Sequence, residues 1–134
     1  MYLLSLFKLQ KRAIRIIKSV NRMCESAPLF FDLKILDLYK VYQLHVLLFV
    51  FKYKNALLPP VFNTFFHYLE HSHNTRNRNL FRVPLFREAI SQKVLRYQGV
   101  ILSNSFNNKI SSNLGYHTYK KKLKSYLLSN NINQ

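Results

Sequence analysis

Between Asp37 and Pro60 the sequence DLYKVYQLHVLLFVFKYKNALLPP holds an unbroken apolar run, Val46 to Phe51, with no Gly or Pro before Pro59. This predicts a helix whose middle is apolar nearly all the way round and must be covered on several sides. Asp37 is placed to cap its first turn through side-chain acceptance from a free N–H, and the Pro59-Pro60 pair cannot continue it.

From Leu3 to Arg22 the residue types separate at helical spacing. Lys8, Lys11, Arg12, Arg15, Lys18 and Arg22 fall within about a third of the circumference, while Leu3, Leu6, Phe7, Ala13, Ile14, Ile17 and Val20 take the opposite face. The expectation is a helix over 3–22 with one packed side and one cationic rail. Such a rail follows a nucleic-acid backbone, lies on a membrane surface, or merely solvates a bundle helix.

A short helix is expected over 29–33, with Pro28 at its first position, and one or two further turns over Val61 to Phe66. The run His71 to Asn79 has no apolar residue and reads as a polar loop and internal boundary. Leu80 to Val100 is interrupted at Pro84 and Gly99. Short extended segments or turns are expected there, with some helix around Glu88 to Leu95. A closing helix over about 116–128 carries Tyr119, Leu123, Tyr126 and Leu127 as its apolar stripe and Lys120, Lys121, Lys122 and Lys124 off it. The fold class is mainly α: a small basic helical domain with a long central apolar helix, divided into a helical part, 1–70, and an Arg-rich part, 71–134, within one domain or part of one.

Composition adds a partner to this picture. Lys and Arg number 21 against 5 Asp and Glu in 134 residues, a net charge of +16. So large an imbalance points to a polyanion, nucleic acid before an anionic membrane. At 49% hydrophobic and 15% aromatic residues, the chain is too apolar to remain disordered. No apolar run approaches the ~18 residues of a spanning helix, and no secretory signal is expected. A single cysteine, Cys24, excludes an internal disulfide and a cysteine-based zinc site, and suggests a reducing, intracellular setting, cytoplasmic or nuclear.

The chemistry of catalysis is sparse. The acidic residues are scattered, with no Asp-Asp pair for two metal ions, no Gly-rich phosphate loop and no nucleophile elbow. Neither an enzyme nor a cofactor is expected. His67, His71 and His73 have the only metal-like spacing, and polar loop histidines explain them better than zinc. His45 reads as a hydrogen-bonded core residue, and His117 as a surface one. Arg76, Arg78, Arg82, Arg87 and Arg96 concentrate guanidinium forks in the second half, with Phe81 and Tyr97 beside two of them, as single-strand binding often uses. Aromatic residues in a core produce the same pattern.

His71, Asn74-Thr75-Arg76, Leu80, Pro84, Arg87, Ser91, Arg96-Tyr97, Gly99 and Asn104-Ser105 together resemble the C-terminal tail of non-LTR retrotransposon reverse transcriptases of the jockey and LINE-like kind. Leu9-Gln10-Lys11-Arg12-Ala13-Ile14-Arg15-Ile16-Ile17 resembles the helix that follows palm and thumb in that family. Pro28-Leu29-Phe30, Ile35-Leu36, Leu38-Tyr39, Tyr53-Lys54 and Leu57-Leu58-Pro59-Pro60 continue the likeness, and Tyr119 to Leu128 is similar to its closing helix. The likeness covers about residues 7 to 128. It implies RNA-directed DNA synthesis by a parent protein whose Mg²⁺-binding palm aspartates have no counterpart here. It also implies partners: RNA or DNA, and the upstream polymerase domains. Where the family commonly has Trp-Asn-Ser-Leu-Pro, this chain has Ser103-Asn104-Ser105-Phe106-Asn107. The expectation is a non-catalytic fragment giving scaffold and basic nucleic-acid contact. The alternatives are a purely structural or decayed fragment and a basic amphipathic protein directed to a membrane or to mitochondria.

Overall fold

The computed structural model describes residues 2–69, 80–106, 109 and 114–129. Five α-helices are present among them: α1 (Tyr2–Ile17), α2 (Ala27–Asp32), α3 (Leu38–Lys54), α4 (Leu95–Phe106) and α5 (Tyr116–Ser129). Single 3-10 turns occupy Pro60–Phe62 and Ser91–Lys93. The chain is mainly α, as its periodicity predicts. The loop expected over His71 to Asn79, and the break expected at residues 70 and 71, lie outside the described residues.

Three helices end in the same way, without glycine. Ser19, Lys34 and Ala56 take the left-handed conformation at φ 51°, 53° and 53°. In each case the next N–H bonds back across the turn: Val20 N–H to Arg15 O at 3.1 Å, Ile35 to Phe30 at 3.0 Å and Leu57 to Lys52 at 2.9 Å. This is the closing pattern that normally recruits Gly. It also stops α1 at Ile17, five residues short of the expected Arg22, so Lys18 and Arg22 lie beyond the helix. The short α2 begins at Ala27 and carries Pro28 at its second position.

Asp37 does cap α3. Its Oδ1 accepts from the Lys40 N–H at 2.9 Å. Leu44, Val46, Leu47, Leu48, Val50 and Phe51 are all buried, which satisfies most of the circumference that the sequence leaves apolar. The expected all-round cover is nevertheless interrupted. His45 is exposed rather than a core residue, because it projects nearly opposite Leu47 on the same side as exposed Tyr42.

Two compact units make up the chain, Met1–Leu44 with Lys121–Gln134, and His45–Lys120. In the first, Ile14, Leu29 and Phe30 form the core, with Phe7, Val20, Cys24 and Leu33 around them. Gln10 fixes the entry to α3: its side-chain amide donates to Leu36 O at 3.1 Å and accepts from Leu38 N–H at 3.0 Å. The ammonium of Lys40 donates to Leu127 O at 2.7 Å.

In the second unit the core is Val50, Phe66, Phe81 and Val100, flanked by Phe49, Tyr53 and Phe65. Ring contacts run from Tyr53 to Phe66 at 4.9 Å and from Phe66 to Phe81 at 5.1 Å. Phe81 pairs with Tyr68 in an isolated antiparallel bridge. Its backbone is also clasped by Asn104, which accepts from Phe81 N–H at 2.9 Å and donates to Phe81 O at 2.8 Å. The sequence predicts short extended pieces across Leu80 to Val100. The structure corrects this at the end of the run, where Leu95 begins the twelve-residue α4 and Gly99 lies inside it. Gly99 is not a breaker here. A Cβ at that position would stand 2.9 Å from Phe66 Cζ and 3.3 Å from Val50 Cγ2.

Candidate nucleic-acid interface

The six cations expected to form a rail have different fates. Lys8 and Arg12 are exposed, one turn apart on α1, and Lys11 stands 4.2 Å over the Phe7 ring. Arg15 is partly committed to the fold, since its Nε donates to Cys24 O at 2.8 Å and so ties α1 to the turn after it. Lys18 pairs with Asp32 at 3.5 Å, an exposed contact of small energy. Arg22 follows the helix end and lines the same groove as Lys8, Lys11, Arg12 and Arg15.

That groove has a volume of about 560 Å³ and is lined by Lys8, Lys11, Arg12, Arg15 and Arg22 together with Leu9, Ile16 and Val20. Five cations without a carboxylate along the lining create a positive field. Guanidinium and ammonium groups can each donate to phosphate oxygens there. Neither Leu9 nor Ile16 belongs to the cationic or the packed arc that helical spacing predicts. Their signal is nevertheless present in the helical spacing, because both fall between the cationic and the packed arcs.

The packed face of α1 is narrower than expected. Phe7, Ile14 and Val20 take part in the core, but Leu3, Leu6, Ala13 and Ile17 are exposed. The elements beside α1 cover little of it: α2 is only six residues long, and the entry to α3 reaches α1 through Gln10.

Of the arginines expected in the second half, Arg76 and Arg78 lie outside the described residues. Arg82 and Arg87 are exposed. Arg96 donates to Nε2 of His67 at 3.2 Å, a contact that requires that nitrogen to be unprotonated. Tyr97 is half-buried with its ring 6.1 Å from that of Phe86, so it packs inward rather than standing free for stacking. Lys120, Lys121, Lys122 and Lys124 are all exposed along α5. His117 is exposed too.

Further cations sit on aromatic faces at the end of α3. Lys52 lies 5.1 Å over Tyr116 and Lys54 lies 5.0 Å over Phe81. Burial lowers the Lys54 ammonium below its ordinary range. For Lys40 the same desolvation dominates, opposed by the nearby Asp37 charge.

Among the described residues no three His, Cys, Asp or Glu side chains gather as a metal site. His71 and His73 of the histidine cluster lie outside those residues, and His67 is engaged with Arg96. No described helix is long and apolar enough to cross a membrane. Comparison with protein families, characterised proteins and solved structures returns no match.

Proposed function

We propose that this chain is a non-catalytic, retrotransposon-derived fragment of a reverse-transcriptase C-terminal region, and that it binds RNA or DNA through its basic surfaces while extending a polymerase scaffold. The observation that carries the binding is the α1 groove, where five cations line one concavity without a carboxylate among them. Origin rests on the resemblance. It gains support from residues within the resemblance that also hold the fold: Gln10 at the entry to α3, buried Leu36, Gly99 against Phe66, and Asn104 on Phe81.

Contact of this kind is to phosphate and carries no sequence information. In this reading the chain works inside the cell, in the cytoplasm or nucleus, with upstream polymerase domains as its further partner. Fluorescence anisotropy with labelled single-stranded DNA and RNA of unrelated sequences tests the binding. Similar affinities that fall steeply with added salt are expected. Binding that ignores salt, or no binding at low salt, contradicts it.

A further inference from the structure

The nucleic-acid reading uses one arc of α1 and leaves its neighbour unexplained. Leu6, Leu9, Ile16 and Ile17 are 53%, 59%, 67% and 63% exposed, and helical spacing sets them side by side with Ala13 between them. Soluble monomers rarely leave such a contiguous aliphatic strip facing water. Arg12 and Lys8 border this strip on one side.

We propose that α1 docks on an anionic lipid surface, with this aliphatic strip at the boundary between headgroups and acyl chains and with Arg12 and Lys8 on lipid phosphates. Charge decides between occupants. A second copy would bring two cationic arcs together in a protein of net charge +16, with no excess acidic surface to receive them. A nucleic acid satisfies the cations but offers little to Leu and Ile, since bases stack on aromatic faces and this strip has none. An anionic lipid answers both arcs: acyl chains take the Leu and Ile side chains, and phosphates take the flanking cations. The helix lies on such a surface rather than crossing it, as it is too short and too charged to span.

The test uses the full chain and co-sedimentation with vesicles, either phosphatidylcholine alone or phosphatidylcholine and phosphatidylserine in equal parts. Binding to the mixed vesicles only is expected. The Leu6→Ser/Ile17→Ser variant, whose side chains belong to the strip and not to the cationic groove, should lose that binding by about tenfold or more, because both leave the acyl boundary. Both residues are already exposed, so its urea midpoint and its affinity for single-stranded DNA should stay those of the parent.

Absence of binding to mixed vesicles overturns the proposal, as does unchanged vesicle binding by the variant. A parent that sediments as a dimer, with a monomeric variant, assigns the strip to a second copy instead. A parallel loss of DNA affinity in the variant assigns it to nucleic acid. The nucleic-acid reading fails separately, on the oligonucleotide measurements alone.

Discussion

A methyl group on Gly99 would meet the end of the Phe66 ring at 2.9 Å, and that ring has no room to turn. Phe49, Tyr53, Phe65 and Phe81 all contact it. Gly99→Ala therefore overpacks the second unit despite the better helix propensity of alanine. A loss of about 1–3 kcal/mol is expected in urea unfolding. At Asn104 the fragile feature is reciprocity, because one amide satisfies both backbone groups of a fully buried residue. Asn104→Ala should cost about 2 kcal/mol by the same measurement. Asn104→Asp should also destabilise, since a carboxylate cannot donate to Phe81 O. Tyr119 is stacked on Phe51 at 4.2 Å, and burial raises its phenol above the ordinary 10.0. The unfolded phenol ionises first as pH rises. Its contribution is thus complete below pH 10.0 and is lost as pH climbs through the raised folded value. Tyr119→Phe keeps the ring contact, and its urea midpoint should fall less between neutral pH and pH 10.0 and above than that of the parent.

The elements divide into those that hydrophobic spacing announces and those that tertiary contacts create. The central helix, its Asp37 cap and the closing helix are legible because capping chemistry and apolar spacing are local. The end of α1 is not. Ser19 closes it by adopting a left-handed conformation that nothing about serine signals, and Lys34 and Ala56 do the same at α2 and α3. The α4 helix is illegible for the opposite reason: Gly99 resembles punctuation, but close approach to Phe66 and Val50 requires it inside a helix. His45 shows a third limit, since an apolar helix still keeps one open strip. If the left-handed closures store conformational cost, glycine should relieve it. Ala56→Gly is expected to raise stability by about 1 kcal/mol in urea unfolding, as the strain removed exceeds the chain entropy added. An unchanged or lower midpoint would place the cost elsewhere.

For the whole molecule, the excess of cations is plain in the composition, but its distribution is a structural fact. The cationic spacing identifies Lys8, Lys11, Arg12, Arg15 and Arg22, which the groove brings together, and cannot reveal that Arg15 also ties down Cys24 O or that Lys18 is paired with Asp32. It also assigns too many side chains of α1 to the core, because periodicity shows that a helix has an apolar face without showing how much of that face a partner covers. Tyr97 and Arg96 look like a stacking pair in sequence, whereas in the fold Tyr97 packs against Phe86 and Arg96 donates a hydrogen bond to His67. Exposed Lys8 and Arg12 carry the least structural burden in the groove, so they isolate binding from folding. The most direct measurement is the salt dependence of affinity for single-stranded DNA, comparing the parent with Lys8→Gln/Arg12→Gln. Each lost phosphate contact lowers the slope of log K against log salt by about 0.7, so the variant should bind more weakly with a slope shallower by about 1.4. A variant with the parent's affinity and slope would contradict a nucleic-acid interface on α1.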